Sequence, residues 1–135
     1  ADIYAFVDNS GSMSDQEIAS VLTELQYLTV QLNSQVEIIP FDARVHSEQA
    51  TRLQPGKNVS YQRTGGGGTC FQVIFDWLQK QHVSRQQATV VILTDGWGES
   101  ELAVHGYRNV LWLLSTESEL SVKSPVMRSV KIGGI

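Results

Sequence analysis

Asp8, Ser10 and Ser12 form a D-x-S-x-S run that closes the apolar stretch Ile3 to Val7 and opens a helix-like one. Oxygen donors at a strand end are where an α/β sheet binds ligands. Two further segments repeat the logic. Gly65 to Thr69 reads GGGGT just before a second helical stripe, and Thr94-Asp95-Gly96 ends another apolar strand. Hydroxyls from Ser10, Ser12 and Thr69 with carboxylates from Asp8 and Asp95 make an all-oxygen set, suited to a hard divalent ion such as Mg²⁺ or Mn²⁺ and unsuited to zinc or copper. Neutral hydroxyls donate little charge. A dication held by them, with the carboxylates mostly behind water, stays electrophilic and keeps a place for an external anion, for which a partner's Asp or Glu is the natural visitor. The bland alternative has Ser10 and Ser12 forming turns and Asp8 merely ending a strand.

The elements that must position these residues alternate. Ile3 to Val7 reads as a central parallel strand covered on both faces. Ser14 to Glu17 reads as a capping box, followed by Ile18, Val21, Leu22, Leu25, Leu28 and Leu32 at helical spacing. Val36 to Phe41 is the next strand, and Asp42-Ala43 turns it into a polar edge strand from Arg44 to about Leu53. Phe71, Ile74, Phe75 and Leu78 form the second helical stripe, Thr89 to Thr94 a fourth strand, Ser100 to Tyr107 a short helix, Val110 to Leu114 a fifth strand and Val126 to Ile132 a last edge strand. Right-handed crossovers place every strand-to-helix loop on one edge of the sheet.

With these motifs and this order, the chain resembles the von Willebrand factor A (VWA) domain with its metal-ion-dependent adhesion site, MIDAS. It is most similar to the short bacterial VWA-like domains found at the C-terminal end of metallopeptidase-type proteins. The resemblance implies a doubly wound, mostly parallel α/β sheet with one antiparallel edge strand and helices on both faces. It implies that Ser10, Ser12 and Thr69 ligate the metal directly while Asp8 and Asp95 act through water. It also implies a role in complex assembly or remodelling alongside an AAA+ ATPase. In the doubly wound order the strands ending at Asp42, Asp8 and Asp95 are neighbours, so Asp42 joins the acidic edge as a water-bridged contributor or as a turn former. Two departures stand out: Cys70 replaces the Asp or Asn that often follows the loop threonine, and the chain ends soon after Ile132 without the long final helix of adhesion-receptor domains.

Other positions have paired readings. Gly65 to Gly68 is a binding loop that brings Thr69 over the metal, or a flexible linker. Cys70 in a first helical turn is a thiol whose pKa the helix dipole lowers, or a small buried apolar side chain. Trp97 is a partner contact or a packing residue. Asp42, Gly68 and Trp97 are the candidate partner-facing positions. Trp77 and Trp112 fall in core patterns, and His46, His82 and His105 show neither zinc-type spacing nor a paired carboxylate, so they carry no role.

At 135 residues and 41% apolar content the chain suits one domain, residues 1–135, as the C-terminal piece of a longer protein. No stretch is long enough to span a bilayer and no secretory pattern opens the chain. The single cysteine fits a reducing, cytoplasmic setting. A net charge of −4, with ten scattered Lys and Arg, argues against nucleic acid. Among enzyme classes, a serine hydrolase lacks its nucleophile elbow, a metallopeptidase its zinc ligands, and a Walker loop its lysine. The expectation is a metal-dependent protein-binding module; the rivals are a metal-dependent, phosphoesterase-like hydrolase without an evident general base and a structural domain with a vestigial site.

Overall fold

A computed structural model describes residues 2–57, 66–115, 120–122 and 128–131. Strand β1 (Asp2–Asp8) leads to helix α1 (Asp15–Leu32), strand β2 (Val36–Phe41) and a short 3₁₀ turn (Ser47–Gln49) before strand β3 (Thr51–Leu53). Helix α2 (Gln72–Lys80), strands β4 (Ala88–Thr94), β5 (Val110–Leu114) and β6 (Arg128–Lys131) follow. The six strands pair in the order β3-β2-β1-β4-β5-β6. All neighbours are parallel except β2 and β3, which are antiparallel. This is the expected doubly wound sheet with one antiparallel edge.

Alternation along the strands divides the interior into two layers. Ile3, Ala5 and Val7 of β1 join Val91, Leu93 and the α1 residues Ile18, Val21, Leu22 and Leu25 in one core. Phe6 faces the other way and joins Ile92, Trp112 and the α2 residues Ile74, Phe75 and Leu78 in the second. Helix α1 starts where its sequence requires. Ser14 Oγ accepts from Glu17 N at 3.0 Å while Glu17 Oε1 accepts from Ser14 N at 3.0 Å, so the capping box is closed. It stops at Asn33, whose left-handed backbone lets its N–H reach the last carbonyls.

Two elements differ from expectation. The edge strand expected over Arg44 to Leu53 is only Thr51–Leu53, preceded by a single bridge between Phe41 and Val45 and by the 3₁₀ turn. His46 is the reason: its N–H donates to Pro40 O at 2.9 Å and its ring is buried against Asp42, so the chain folds under the edge before it can run along it. The helix expected over Ser100 to Tyr107 does not form. Gln72 of α2 reaches across to take both backbone groups of Ala103, at 2.9 Å each, and the positive φ of His105 and Gly106 ends any helical path. Trp112 is fully buried, whereas Trp77 is only half-buried, edge-on to Phe6. The last strand is present over Arg128–Lys131, and the rest of its expected range lies outside the described residues. Among the described residues no helix is long and apolar enough to cross a membrane.

Candidate functional site

Because β2, β1 and β4 are parallel neighbours, their C-terminal ends bring Asp42, Asp8 and Asp95 to one edge. Asp8 is the last residue of β1 and is fully buried. Its Oδ1 accepts from Ser10 N at 2.8 Å and its Oδ2 from the Thr94 hydroxyl at 2.6 Å, while Thr94 Oγ1 in turn accepts from Gly96 N at 3.1 Å. Burial pushes the Asp8 carboxyl above the ordinary range; the Ser10 and Thr94 hydrogen bonds offset part of that, and the negative charge of Asp95 adds to it. Ser10 Oγ lies 3.1 Å from Ser12 Oγ, with Ser10 buried and Ser12 facing solvent. Asp95, also buried, accepts from Trp97 N through Oδ1 at 3.1 Å. Asn9, the variable position inside the motif, ties the loop to β2: its N–H donates to Phe41 O at 2.8 Å.

The glycine loop packs against the same edge. Gly11 N donates to Gly67 O at 3.0 Å, Gly67 N to Asp42 Oδ2 at 3.3 Å and Cys70 N to Asp42 O at 3.0 Å. Half-buried Thr69 sits between the two anchored residues, so the loop is held rather than a free linker. Gly65 lies outside the described residues. Gly68 has neither a positive φ nor a neighbour within 4 Å of an added Cβ, leaving open space beside Thr69.

Asp42 does form its turn, accepting from Arg44 N at 3.1 Å, but it also anchors the glycine loop and accepts from His46 Nε2 at 2.9 Å. Burial acts to raise its pKa, yet the hydrogen bonds from His46, Arg44 N and Gly67 N outweigh it and hold the carboxyl below the ordinary range. The expectation that no histidine has a paired carboxylate is therefore overturned twice, since His105 Nε2 also lies 2.8 Å from Asp76 Oδ1. The i, i+4 spacing of Asp42 and His46 was the available signal.

At the start of α2 the sequence missed Glu99. Its carboxylate accepts from Phe71 N at 2.8 Å and Gln72 N at 2.9 Å, supplying the cap that Phe71 itself lacks. Although burial acts against the charge, these bonds hold Glu99 below the ordinary glutamate range. Cys70 Sγ lies 3.4 Å from the same carboxylate. Burial and the Glu99 charge push its thiol up, which goes against the dipole-lowered thiolate and leaves the favoured reading, a partly buried small side chain. A depressed carboxyl stabilises the fold above the unfolded value and loses that contribution as pH falls through the folded one. Glu99→Gln should therefore lower the melting temperature at pH 7, and its gap to wild type should narrow as the pH is taken below the ordinary glutamate range, measured by calorimetric melts.

Trp97 is 67% exposed, so it is not a packing residue. Its backbone is braced on both sides: Gly96 O accepts from Ser121 N at 2.9 Å and Gly98 N donates to Ser121 Oγ at 3.0 Å.

Residues 3–132 match the family model of the VWA-like domain (DUF2201). The chain belongs to that family. A relative of this VWA-like chain, an uncharacterized protein of Thermotoga maritima, is 31% identical over 113 residues, which cover 84% of this chain and 26% of the relative. The VWA-like chain thus spans about a quarter of that relative's length.

Among the described residues no group of three or more His, Cys, Asp or Glu is placed to hold an ion. The oxygens that this edge of the sheet offers beside its carboxylates are hydroxyls. The Ser10–Ser12 pair beside Asp8, a buried carboxylate further burdened by Asp95, supplies hydroxyls together with negative charge that a cation would relieve. That chemistry fits a hard divalent ion.

Proposed function

We propose that this VWA-like domain is a divalent-metal-dependent protein-binding module. Mg²⁺ or Mn²⁺ would be held at a MIDAS-type edge by Ser10, Ser12 and Thr69, with Asp8 and Asp95 supplying charge and orienting water. The observation that carries the reading is Asp8, fully buried, loaded by Asp95 and set beside the Ser10–Ser12 hydroxyls at the end of the central strands. A buried carboxyl beside a second carboxylate is relieved either by a proton or by a neighbouring cation, and the hydroxyls at this edge favour the cation. The ion's remaining position takes an Asp or Glu of a partner protein, in the cytoplasm and in complexes linked to an AAA+ ATPase.

Calorimetric titration of the metal-free domain with Mg²⁺ and Mn²⁺ tests the site. Saturable binding that is lost in Thr69→Ala and in Asp8 variants supports it, and absence of binding to the wild-type domain overturns it. Trp97 provides a separate handle. Lying next to Asp95 with its ring in solvent, it fits the role of a rigid aromatic anchor for the partner. Trp97→Ala should leave Mg²⁺ affinity within about twofold, since it removes no donor, and should weaken capture of an acidic partner by about tenfold or more. Binding assays with and without metal would separate the two effects.

A further inference from the structure

The glycine loop poses a problem that the metal donors alone do not solve. Gly66, Gly67 and Gly68 have no side chains to pack, and a glycine run loses more conformational freedom on being fixed than any other sequence. Gly66 adopts φ +121°, a conformation reached by glycine and by little else. Thr69, at the end of this run, can serve as a donor only if something outside the run immobilises it. Among the described residues, two of the three hydrogen bonds from backbone groups that hold the run and its flank end on Asp42: Gly67 N on Oδ2 at 3.3 Å and Cys70 N on the main-chain oxygen at 3.0 Å. The third joins Gly67 O to Gly11 N of the serine loop. Asp42 is thus the hub, and its own orientation matters.

His46 fixes that orientation. It is 6% exposed, its N–H is spent on Pro40 O, and Nε2 lies 2.9 Å from Asp42 Oδ1. Facing an ionised carboxylate, Nε2 carries the hydrogen and donates it, which leaves Oδ2 turned to Gly67. Nδ1 is buried without a hydrogen-bond partner among the described residues, with Glu48 Oε1 3.6 Å away. A polar atom left buried in this way costs stability, which is consistent with the ring being retained for the work its other nitrogen does.

We propose that Asp42 and His46 form a positioning latch that holds the glycine loop and thereby determines how tightly Thr69 engages the divalent ion. The inference rests on the metal reading for its second half only. The latch acts through Thr69, so neither of its residues is itself a ligand.

Amide hydrogen exchange, read by NMR on the metal-free domain, tests the first half without any ion. In His46→Leu, exchange at Gly67 and Cys70 should accelerate by about tenfold, the loss of one charge-assisted hydrogen bond, while amides of β1 and β4 stay protected. In His46→Gln, whose side-chain N–H can reach Asp42, protection should return. If His46→Leu fails to fold, Asp42→Ala serves, because it removes the carboxylate that accepts from His46 Nε2 and Gly67 N. Unchanged exchange at Gly67 and Cys70 in a folded variant would overturn the latch. For the second half, His46→Leu should weaken Mg²⁺ binding about tenfold in the wild-type background and less than about twofold in a Thr69→Ala background. Equal losses in both backgrounds would overturn action through Thr69. If the wild-type domain binds no Mg²⁺, the metal reading and this second half fall together, and the exchange data still decide the first.

Discussion

Asp8→Asn is expected to weaken Mg²⁺ and Mn²⁺ binding by at least about 100-fold while raising the melting temperature of the metal-free domain. Both effects have one origin. The Asp8 carboxyl is held above its ordinary pKa by burial, with the Asp95 charge adding to it, so its ionised form is less at home in the folded chain than in the unfolded one. Asparagine keeps the shape. Its oxygen can still accept from Ser10 N, and its amide can donate to Thr94 Oγ1 once that hydroxyl rotates. What it removes is the charge, which the cation needs and the empty fold does not.

The pH dependence follows with a definite sign. For a carboxyl whose folded pKa is raised, the folded state binds the extra proton between the unfolded value and the higher folded one. Its stabilising contribution is complete below the unfolded value and is lost as pH rises through the folded value. Melts of the metal-free wild type should therefore show falling stability over that window, and Asp8→Asn should lack that component. Saturating Mg²⁺ should remove it too, by keeping Asp8 ionised at lower pH. Asp8→Ala is the contrasting variant. It leaves the buried Ser10 N–H and the fully buried Thr94 hydroxyl without their acceptor, at about 1–3 kcal/mol for each group left unsatisfied, so it should lose metal and stability together. A melting temperature for Asp8→Asn well below that of wild type would mean that the charge is satisfied by the protein alone, and the argument for a cation would fail.

The parts of this architecture that were legible in the chain are those encoded locally. β1, β4 and β5 are near-continuous apolar runs because each is covered on both faces, and the Ser14–Glu17 box marks the start of α1 within four residues. The gathering of Asp8, Asp42 and Asp95 at one edge was legible for the same reason, since each residue ends or abuts the strand that presents it. What was hidden depends on pairs far apart in sequence. Glu99 caps α2 from 28 residues beyond Phe71, so neither the helix start nor the raised thiol of Cys70 beside it was readable from the residues around Cys70. Ala103 satisfies its backbone through Gln72, 31 residues earlier, which is why a segment with apolar residues at plausible spacing is not a helix. The Asp42–His46 pair is local, but the polar edge pattern around it reads as strand until the buried ring is seen to pull the chain inward.

Gly98→Ala is expected to destabilise the domain by about 2–3 kcal/mol, a fall in melting temperature of roughly 5–10 °C, although Gly98 is exposed and its backbone takes no positive φ. An added Cβ would run into Phe71 Cε2 and lie 2.7 Å from Cδ2 and 3.1 Å from Cζ, well inside contact distance. Neither side can retreat cheaply. The Phe71 ring is fully buried, edge-on to Trp112 at 4.9 Å between centroids and tilted against Phe41 at 6.1 Å. Gly98 is pinned by Ser121 Oγ, and the next residue is the Glu99 that caps α2. The strain therefore spreads along two paths, toward Asp95 through the Trp97 turn and toward Thr69 through Phe71 and Cys70, so Mg²⁺ affinity should fall along with stability. Gly68→Ala is the control: with open space around its Cβ and an ordinary φ, it should change stability by less than about 0.5 kcal/mol, and its effect should appear only when a partner occupies that space. Pairing Gly98→Ala with Phe71→Leu distinguishes a steric cause from a conformational one. The smaller, more adaptable side chain makes room, so the double variant should be more stable than the sum of the two single losses, whereas simple additivity would place the cost of Gly98→Ala in its backbone.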